Sequence, residues 1–150
     1  MVLDASGPKC YCQARGCWEV LASGPALESW FRSRSSTLRD EDTGPGAEEI
    51  CELARQGDPL AQQAVARESH YLGLGLANLV TLFCPDIIAL GGGLMKSAGL
   101  LLPGALEIVR EICTQVPVEN SSIVLAGLGP DAGVLGAARV WYDRIGDSGR

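Results

Sequence analysis

Aromatic residues and histidine are scarce in this sequence, and each shortage limits what the chain can do. Aromatic side chains make up 5% of the 150 residues, so leucine, alanine, valine and isoleucine must fill the core. The one histidine, His70, lies in the middle of a long helical pattern. We interpret it as a structural or surface residue, so any metal site has to rely on other ligands.

Basic residues are outnumbered, since 12 lysines and arginines stand against 18 aspartates and glutamates and leave a net charge of −6. An acidic surface disfavours nucleic-acid binding by this chain, because that binding depends on neutralising phosphates. It does not exclude a small phosphorylated ligand held by backbone amides. The N-terminus lacks the basic region and apolar run of a secretory signal, which predicts a cytoplasmic protein.

Three of the six cysteines lie far apart along the chain. Cys51, Cys84 and Cys113 each occupy an apolar helical or pre-strand context, where a free cysteine behaves as a small hydrophobic residue. We interpret them as buried free thiols rather than as disulfide partners. This usage is typical of a protein from a reducing compartment.

The other three cysteines, Cys10, Cys12 and Cys17, form the pattern C-x-C-x4-C. Thiolates at this spacing can reach one tetrahedral zinc ion at about 2.3 Å each. Three ligands do not close a structural site, so either a fourth ligand comes from elsewhere or one coordination position stays open. Redox-active thiols, or one disulfide with a spare thiol, are the alternatives that the spacing leaves open.

Hydrophobic periodicity predicts a helical region followed by alternating strands and helices. Helices are predicted at residues 18–32 with a break at Gly24-Pro25, 47–56, 59–83, 96–115 with a kink at Pro103-Gly104, and 133–143. Strands are predicted at residues 87–90 and 123–126, and a polar loop at 33–46. This order predicts an α/β fold in which helices cover a thin sheet of parallel, buried strands.

The helix predicted at 59–83 is apolar nearly all round from Tyr71 to Phe83. This portion is shorter than the roughly 20 residues that a membrane span needs, and glycines interrupt it. We therefore predict a buried central helix and no membrane insertion. Gly73 and Gly75 would let another backbone approach this helix closely.

A glycine triplet, Gly91, Gly92 and Gly93, follows the strand predicted at 87–90. Glycines at the carboxyl end of a strand let a ligand lie against the backbone and contact its amides. A tight turn that binds nothing is the alternative that the triplet alone leaves open.

The stretch C-x-C-x3-G-C-x-E at residues 10–19, followed by Ser23-Gly24, resembles the zinc signature of the ROK family of sugar kinases and sugar-responsive repressors. One departure is Gln13, where the family usually has glycine, and this predicts a slightly altered loop. The resemblance covers about residues 2–142. It includes the motifs at 73–80, 87–94 and 133–138.

This resemblance implies the α/β fold of the carboxy-terminal lobe of an actin-like (ribonuclease H-like) sugar kinase, truncated at its N-terminus. Residues 1–150 are then expected to form a single partial domain. Its parts are a zinc knuckle at 8–19, a helical part at 18–84, and a strand–helix–strand–helix part on the nucleotide side at 86–143. The family's fourth zinc ligand is a histidine ten residues before the first cysteine, a position that falls immediately before Met1.

The resemblance also implies a function, the transfer of the γ-phosphoryl group of Mg-ATP to a hexose or N-acetylhexosamine. It implies that Glu19 binds sugar hydroxyls, that Gly91, Gly92 and Gly93 contact ATP, and that the zinc is structural. The family's catalytic aspartate and D-x-G-x-T phosphate loop are expected upstream, so no catalytic residue is assigned here and this chain alone is expected to be inactive. The alternatives are the sugar-sensing lobe of a ROK repressor and a non-catalytic dimerisation module. A homodimer is expected.

Overall fold

The computed structural model describes residues 1–35, 44–116 and 118–147. Within these ranges the helices are α1 (Trp18–Leu21), α2 (Gly24–Arg34), α3 (Ala47–Arg55), α4 (Pro59–Phe83), α5 (Ala98–Ile112) and α6 (Ala132–Asp147). The strands are β1 (Ile87–Leu90) and β2 (Ser122–Leu125). Most of the polar loop predicted at 33–46 lies outside the described residues.

The helix predicted at 18–32 is divided into α1 and α2, as the Gly24-Pro25 pair indicated. Ser23 lies between them in an extended conformation, and its hydroxyl accepts a hydrogen bond from the amide of Ala26 at 3.2 Å. A serine cap followed by proline in the first turn starts a new helix. The break therefore sets α1 apart as a separate four-residue element.

Helix α4 is the centre of the fold and packs against α2, α3 and α5. Its predicted start is confirmed, because the Asp58 carboxylate accepts a hydrogen bond from the amide of Ala61 at 2.7 Å and Pro59 is the first helical residue. It ends at Phe83, because the next residue, Cys84, has a left-handed φ of 41° that stops the helix. None of the described helices is both long enough and apolar enough to cross a membrane.

The two glycines of α4 make room for different neighbours. A Cβ added to Gly73 would lie 2.6 Å from the carbonyl oxygen of Ala105, so the backbone of α5 approaches closely, as predicted. A Cβ added to Gly75 would overlap the indole ring of Trp18, so this glycine accommodates a side chain of α1 rather than a backbone. Both helices are thereby held against α4 at defined points.

Strands β1 and β2 pair in parallel, with Ile88 opposite Ile123, and α5 forms the crossover between them. The parallel arrangement was predicted, but β2 begins one residue earlier than expected and the burial of the strands was overestimated. Ile87 is 65% exposed, and Leu125 is also exposed. Within the described residues the sheet has these two strands, so each strand keeps an open edge.

In the sequence of α6, the apolar residues Val134, Leu135, Ala138 and Trp141 predict a packed face. This prediction is wrong for the described residues. Val134 is 74% exposed and Trp141 is 66% exposed, and Leu135 and Ala138 are exposed as well. Helix α6 mainly contacts the 3-10 turn that precedes it. An apolar stripe on a helix shows which face would be buried, but burial requires a second surface to cover it.

The predicted burial of the isolated cysteines holds for two of the three. Cys51 and Cys113 belong to the buried core, whereas Cys84 is exposed. The exposure follows from the position of Cys84, which lies just past the end of α4 where Leu82 and Phe83 are also exposed. All three are free thiols, as predicted.

Candidate functional site

The cysteine knuckle is shaped by backbone hydrogen bonds that fold residues 1–17 back on themselves. The amide of Gly16 donates to the carbonyl of Pro8, and the amide of Cys10 donates to the carbonyl of Ala14, each at 2.8 Å. Gly16 has a φ of 61°, and a Cβ there would overlap the carbonyl group of Asp4. Only glycine fits this position, which explains the glycine before Cys17.

Gln13 adopts the left-handed conformation that glycine favours, with a φ of 72°. Its side-chain amide donates to the carbonyl of Tyr11 at 3.2 Å. Gln13 therefore has an unfavourable backbone conformation, because a side chain is costly in the left-handed region. The altered loop itself stays a prediction.

Replacing Gln13 by glycine should stabilise the knuckle. The strain relieved is about 1–2 kcal/mol, and the greater freedom of glycine in the unfolded chain removes part of it. We expect a net gain of about 0.5–1 kcal/mol in the free energy of unfolding, measured in urea. Gln63→Gly, the same change at an exposed position inside α4, should destabilise the protein by about 1 kcal/mol. A loss of stability in both variants would contradict the strain at Gln13.

The three cysteine sulfurs of the knuckle converge. The Sγ atoms of Cys10, Cys12 and Cys17 all lie within 4.8 Å of one another, and those of Cys12 and Cys17 are 3.5 Å apart. Sulfurs bound tetrahedrally to zinc at about 2.3 Å are about 3.8 Å apart, so the donor set fits this ion. No further histidine, cysteine or carboxylate of the described residues joins the cluster, and His70 is not part of it.

The pKa values of Cys12 and Cys17 are shifted in opposite directions within the cluster. The backbone amide of Ala14, followed by the hydrogen bond with Cys17, lowers the pKa of Cys12. The hydrogen bond with Cys12, followed by burial, raises the pKa of Cys17 to about 11. A bound metal ion would displace the protons of these thiols, because metals bind thiolates.

Glu19 lies in the wall of a cavity of about 570 Å³ next to the knuckle. The lining residues come from the knuckle, from α1, from α2 and, in one case, from α4: Pro8, Lys9, Tyr11, Glu19, Val20, Ser23, Pro25, Ala26, Ser29, Trp30, Ser33 and Arg67. Glu19 is exposed to this space at the start of α1. The cavity thus combines a carboxylate, two cations, several hydroxyls and two aromatic rings.

The family resemblance named Glu19 as a sugar ligand, which stays a prediction, and it named none of the other polar residues that line this cavity. Ser29 and Ser33 are four residues apart on α2 and therefore share one helical face, a spacing visible in the sequence. Arg67 is 48 residues after Glu19, and no local pattern connects the two. Only the packing of α4 against α1 and α2 brings Arg67 to this wall.

The glycine triplet forms an open ledge at the carboxyl ends of the two strands. Gly91 follows β1 and lies beside Ala126, which follows β2 and donates its amide to the carbonyl of Leu90 at 2.7 Å. Gly92 has a φ of 95°, which requires glycine, and no atom lies within 4 Å of a Cβ added to Gly92 or Gly93. The backbone here is accessible to a ligand.

A second cavity, of about 300 Å³, begins at this ledge. It is lined by residues that follow Gly92 and by residues at the starts of α2 and α3: Gly24, Glu28, Gly46, Ala47, Glu48, Gly93, Leu94, Lys96 and Ser97. Lys96 forms an ion pair with Glu48 at 3.1 Å. Gly24 lines this cavity, while its neighbours Ser23 and Pro25 line the cavity of Glu19. The first turn of α2 therefore separates the two cavities.

Comparison with known proteins gives one consistent result. The ROK family model matches residues 1–144 of this chain. The glucokinase of Thermotoga maritima is 31% identical over 154 residues, which cover 97% of this chain and 49% of that glucokinase. The xylose repressor of Bacillus subtilis is 29% identical over 148 residues, which cover 98% of this chain and 36% of that repressor.

A solved structure gives the same result. The ROK family glucokinase from Streptomyces griseus, in complex with glucose and AMPPNP, matches this chain with a TM-score of 0.78 and 32% sequence identity. The match covers 93% of this chain and 49% of the glucokinase chain. This chain therefore spans about half the length of these glucokinases, and less of the repressor.

Proposed function

Because the chain belongs to the ROK family, we propose that it forms the sugar- and ATP-contacting part of a sugar kinase. The observation that carries this proposal is the pair of cavities on either side of the first turn of α2. One contains Glu19 and suits a hexose or N-acetylhexosamine, and the other begins at the glycine ledge and suits a nucleotide.

The cavity of Glu19 has the chemical groups that sugar binding requires. Sugar hydroxyls donate hydrogen bonds to carboxylates, and they both donate to and accept from serine hydroxyls. Aromatic rings cover the apolar face of a sugar ring. Glu19, Ser29 and Trp30 line this cavity. In the proposed function Glu19 orients the sugar through its hydroxyls and does not act as the catalytic base.

The glycine ledge is proposed to contact ATP, which brings magnesium with its phosphates. Gly91, Gly92 and Gly93 present backbone that no side chain covers, and Lys96 lies in the adjoining cavity. Backbone amides and a lysine can stabilise the charge of a nucleotide. We assign no catalytic base to this chain, because no carboxylate of the described residues lines both cavities.

Zinc is proposed as the structural ion of the knuckle, with Cys10, Cys12 and Cys17 as its ligands. The ion would cross-link the ends of the loop and so fix the residue from which α1 starts. Glu19 lies two residues after Cys17, so the same ion would help to place the sugar-binding carboxylate. The metal supplies structure in this proposal and takes no part in phosphoryl transfer.

A repressor is the second candidate, favoured by the similarity of the B. subtilis xylose repressor to nearly the whole chain. The Glu19 cavity would then sense a sugar, and the glycine ledge would have no need to bind ATP. Nucleotide binding separates the two candidates. For either candidate we propose a homodimer.

We predict that this chain alone binds ATP weakly and shows no sugar-dependent turnover. Phosphoryl transfer requires a base, the phosphates and the sugar in one geometry, and the base is not assigned to this chain. The measurements are ATP binding by NMR titration, and release of ADP with glucose, N-acetylglucosamine or N-acetylmannosamine. Gly92→Ala should weaken ATP binding because it disturbs the left-handed ledge.

The matched control is Gly99→Ala in α5, an equally open position that should leave ATP binding unchanged. Equal loss of ATP binding in both variants, or no ATP binding by the unmodified chain, would overturn the assignment of the ledge. Sugar-dependent ADP release that Glu19→Ala abolishes would show that the chain is a complete enzyme and that assigning it no base was wrong.

A further inference from the structure

We propose that Arg67 of α4 is the residue that positions Glu19. Its guanidinium Nη1 donates a hydrogen bond to the backbone carbonyl of Leu21 at 3.0 Å. Leu21 is the last residue of α1, and Glu19 lies two positions earlier on the same short helix. Arg67 thereby binds one of the terminal carbonyl groups that a helix cannot satisfy internally.

Helix α1 needs such a contact because it has only four residues. A helix this short has no stability of its own, so its position depends on what it touches. Its first residue, Trp18, packs into the gap at Gly75 of α4, and its N-terminal neighbour Cys17 provides no side-chain cap. The contact from Arg67 to Leu21 holds the other end.

Arg67 is itself held in place. Its guanidinium carbon lies 4.7 Å from the centre of the Tyr71 ring, one turn further along α4. Stacking of a guanidinium on an aromatic face limits its rotamers and leaves its N–H groups free to donate sideways. The chain of contacts therefore runs from Tyr71 through Arg67 to the backbone of α1.

The second feature of Arg67 is that it does not neutralise the Glu19 carboxylate. Among the described residues no ion pair connects Glu19 to Arg67, although both line the same cavity. An arginine that acts through the backbone of α1 leaves the Glu19 carboxylate available to a ligand. This is the difference between a positioning residue and one that contacts the ligand directly.

Hydrogen exchange of the α1 amides tests the positioning role without any ligand. In Arg67→Met, which keeps the apolar stem but has no donor, we expect residues 18–22 to exchange about tenfold to a hundredfold faster. Arg67→Lys should restore part of the protection, and Tyr71→Leu should give an intermediate result. Arg110→Met, the same change at an exposed position of α5, should leave α1 unchanged. Equal exchange in Arg67→Met and the unmodified chain would overturn the proposal.

A double-mutant cycle then tests the link to Glu19, and this part rests on the proposed sugar site. Binding of N-acetylglucosamine would be followed by NMR titration in Arg67→Met, in Glu19→Gln and in the double variant. If Arg67 acts through Glu19, Arg67→Met weakens binding in the unmodified chain but has no further effect once Glu19 is changed. Additive losses would show a direct contact between Arg67 and the sugar and would overturn the positioning role.

Failure of the proposed sugar-binding function can be told apart from failure of the positioning role of Arg67. If the unmodified chain binds no sugar, the proposed function fails, while the exchange rates of α1 still decide the role of Arg67. If Arg67→Met does not fold, as judged by its thermal transition, Arg67→Lys and Tyr71→Leu provide the same test. Unchanged α1 exchange in both of these variants would then overturn the proposal.

Discussion

Replacing Cys17 by serine should release zinc from the reconstituted chain and destabilise α1. Cys17 is one of the three converging thiols and also the residue directly before α1, so metal binding and helix position depend on the same side chain. An ion held only by the folded state stabilises it by about 2.7 kcal/mol when its free concentration is 100 times the dissociation constant. We expect that stabilisation to be lost in Cys17→Ser, since metal binding is coupled to folding.

The measurement is the zinc content after reconstitution under reducing conditions, together with thermal unfolding with and without zinc. The unmodified chain should hold up to one ion, with lower affinity than a site with four protein ligands. Cys84→Ser is the matched control, because Cys84 is an exposed thiol outside the cluster, and it should keep its zinc. An unmodified chain that binds no zinc, or a Cys84→Ser variant that loses as much as Cys17→Ser, would contradict the site.

The second large effect is expected at Glu68, whose side chain is 0% exposed and has no hydrogen-bond partner among the described residues for either oxygen. Burial raises the pKa of Glu68 from 4.5 to about 8, against the opposing charge of Arg67. Between these two pH values the folded chain keeps a proton that the unfolded chain has lost. The contribution of the Glu68 proton to the free energy of unfolding is therefore fully present below pH 4.5. It declines above pH 4.5 and is lost as the pH rises through 8.

The free energy of unfolding should fall by about 5 kcal/mol between pH 4.5 and pH 8. Each tenfold change in proton affinity corresponds to about 1.36 kcal/mol. The expected fall is comparable to the whole stability of many domains. Urea unfolding at pH 5, 7 and 9 should show a steep decline, and Glu68→Leu should abolish most of it and be more stable than the unmodified chain at pH 9. The conservative Glu68→Gln should also remove the dependence on pH.

Glu107→Gln is the control for this experiment, because it removes an exposed glutamate from α5 and should keep the full decline. Asp4 and Glu52 do not imitate the effect. Their pKa values are lowered, chiefly by hydrogen bonds from Ser6 and Gln56, so any stability they contribute is lost as the pH falls, not as it rises. A Glu68→Leu variant with the same pH dependence as the unmodified chain would show that Glu68 is paired or solvated.

The fold class expected from the sequence is confirmed. The chain has the α/β fold of part of an actin-like ROK sugar kinase, as its match to the S. griseus glucokinase shows. The elements predicted best were those with local start and stop signals. Asp58 and Pro59 mark the start of α4, and the Gly24-Pro25 pair marks the break before α2. Such signals act within one turn of the chain, so they need no tertiary context.

The sequence by itself determined which residues are close along the chain and what chemistry they can perform. The spacing of Cys10, Cys12 and Cys17 brings three thiols together because a knuckle of eight residues has few ways to fold around Gly16. The glycine ledge follows from the same kind of local constraint, since Gly92 needs a positive φ. These features depend on backbone sterics and on short hydrogen bonds, both of which can be read from adjacent residues.

Only the tertiary structure decided which surfaces are covered and which distant residues meet. Apolar periodicity predicted burial for α6 and both strands, yet Trp141 and Ile87 are exposed, while the ionisable Glu68 is fully buried. Arg67 reaches the wall that holds Glu19 only because α4 packs against α1 and α2. Burial and long-range contacts depend on which elements lie against each other, and a pattern within one element carries no information about its neighbour.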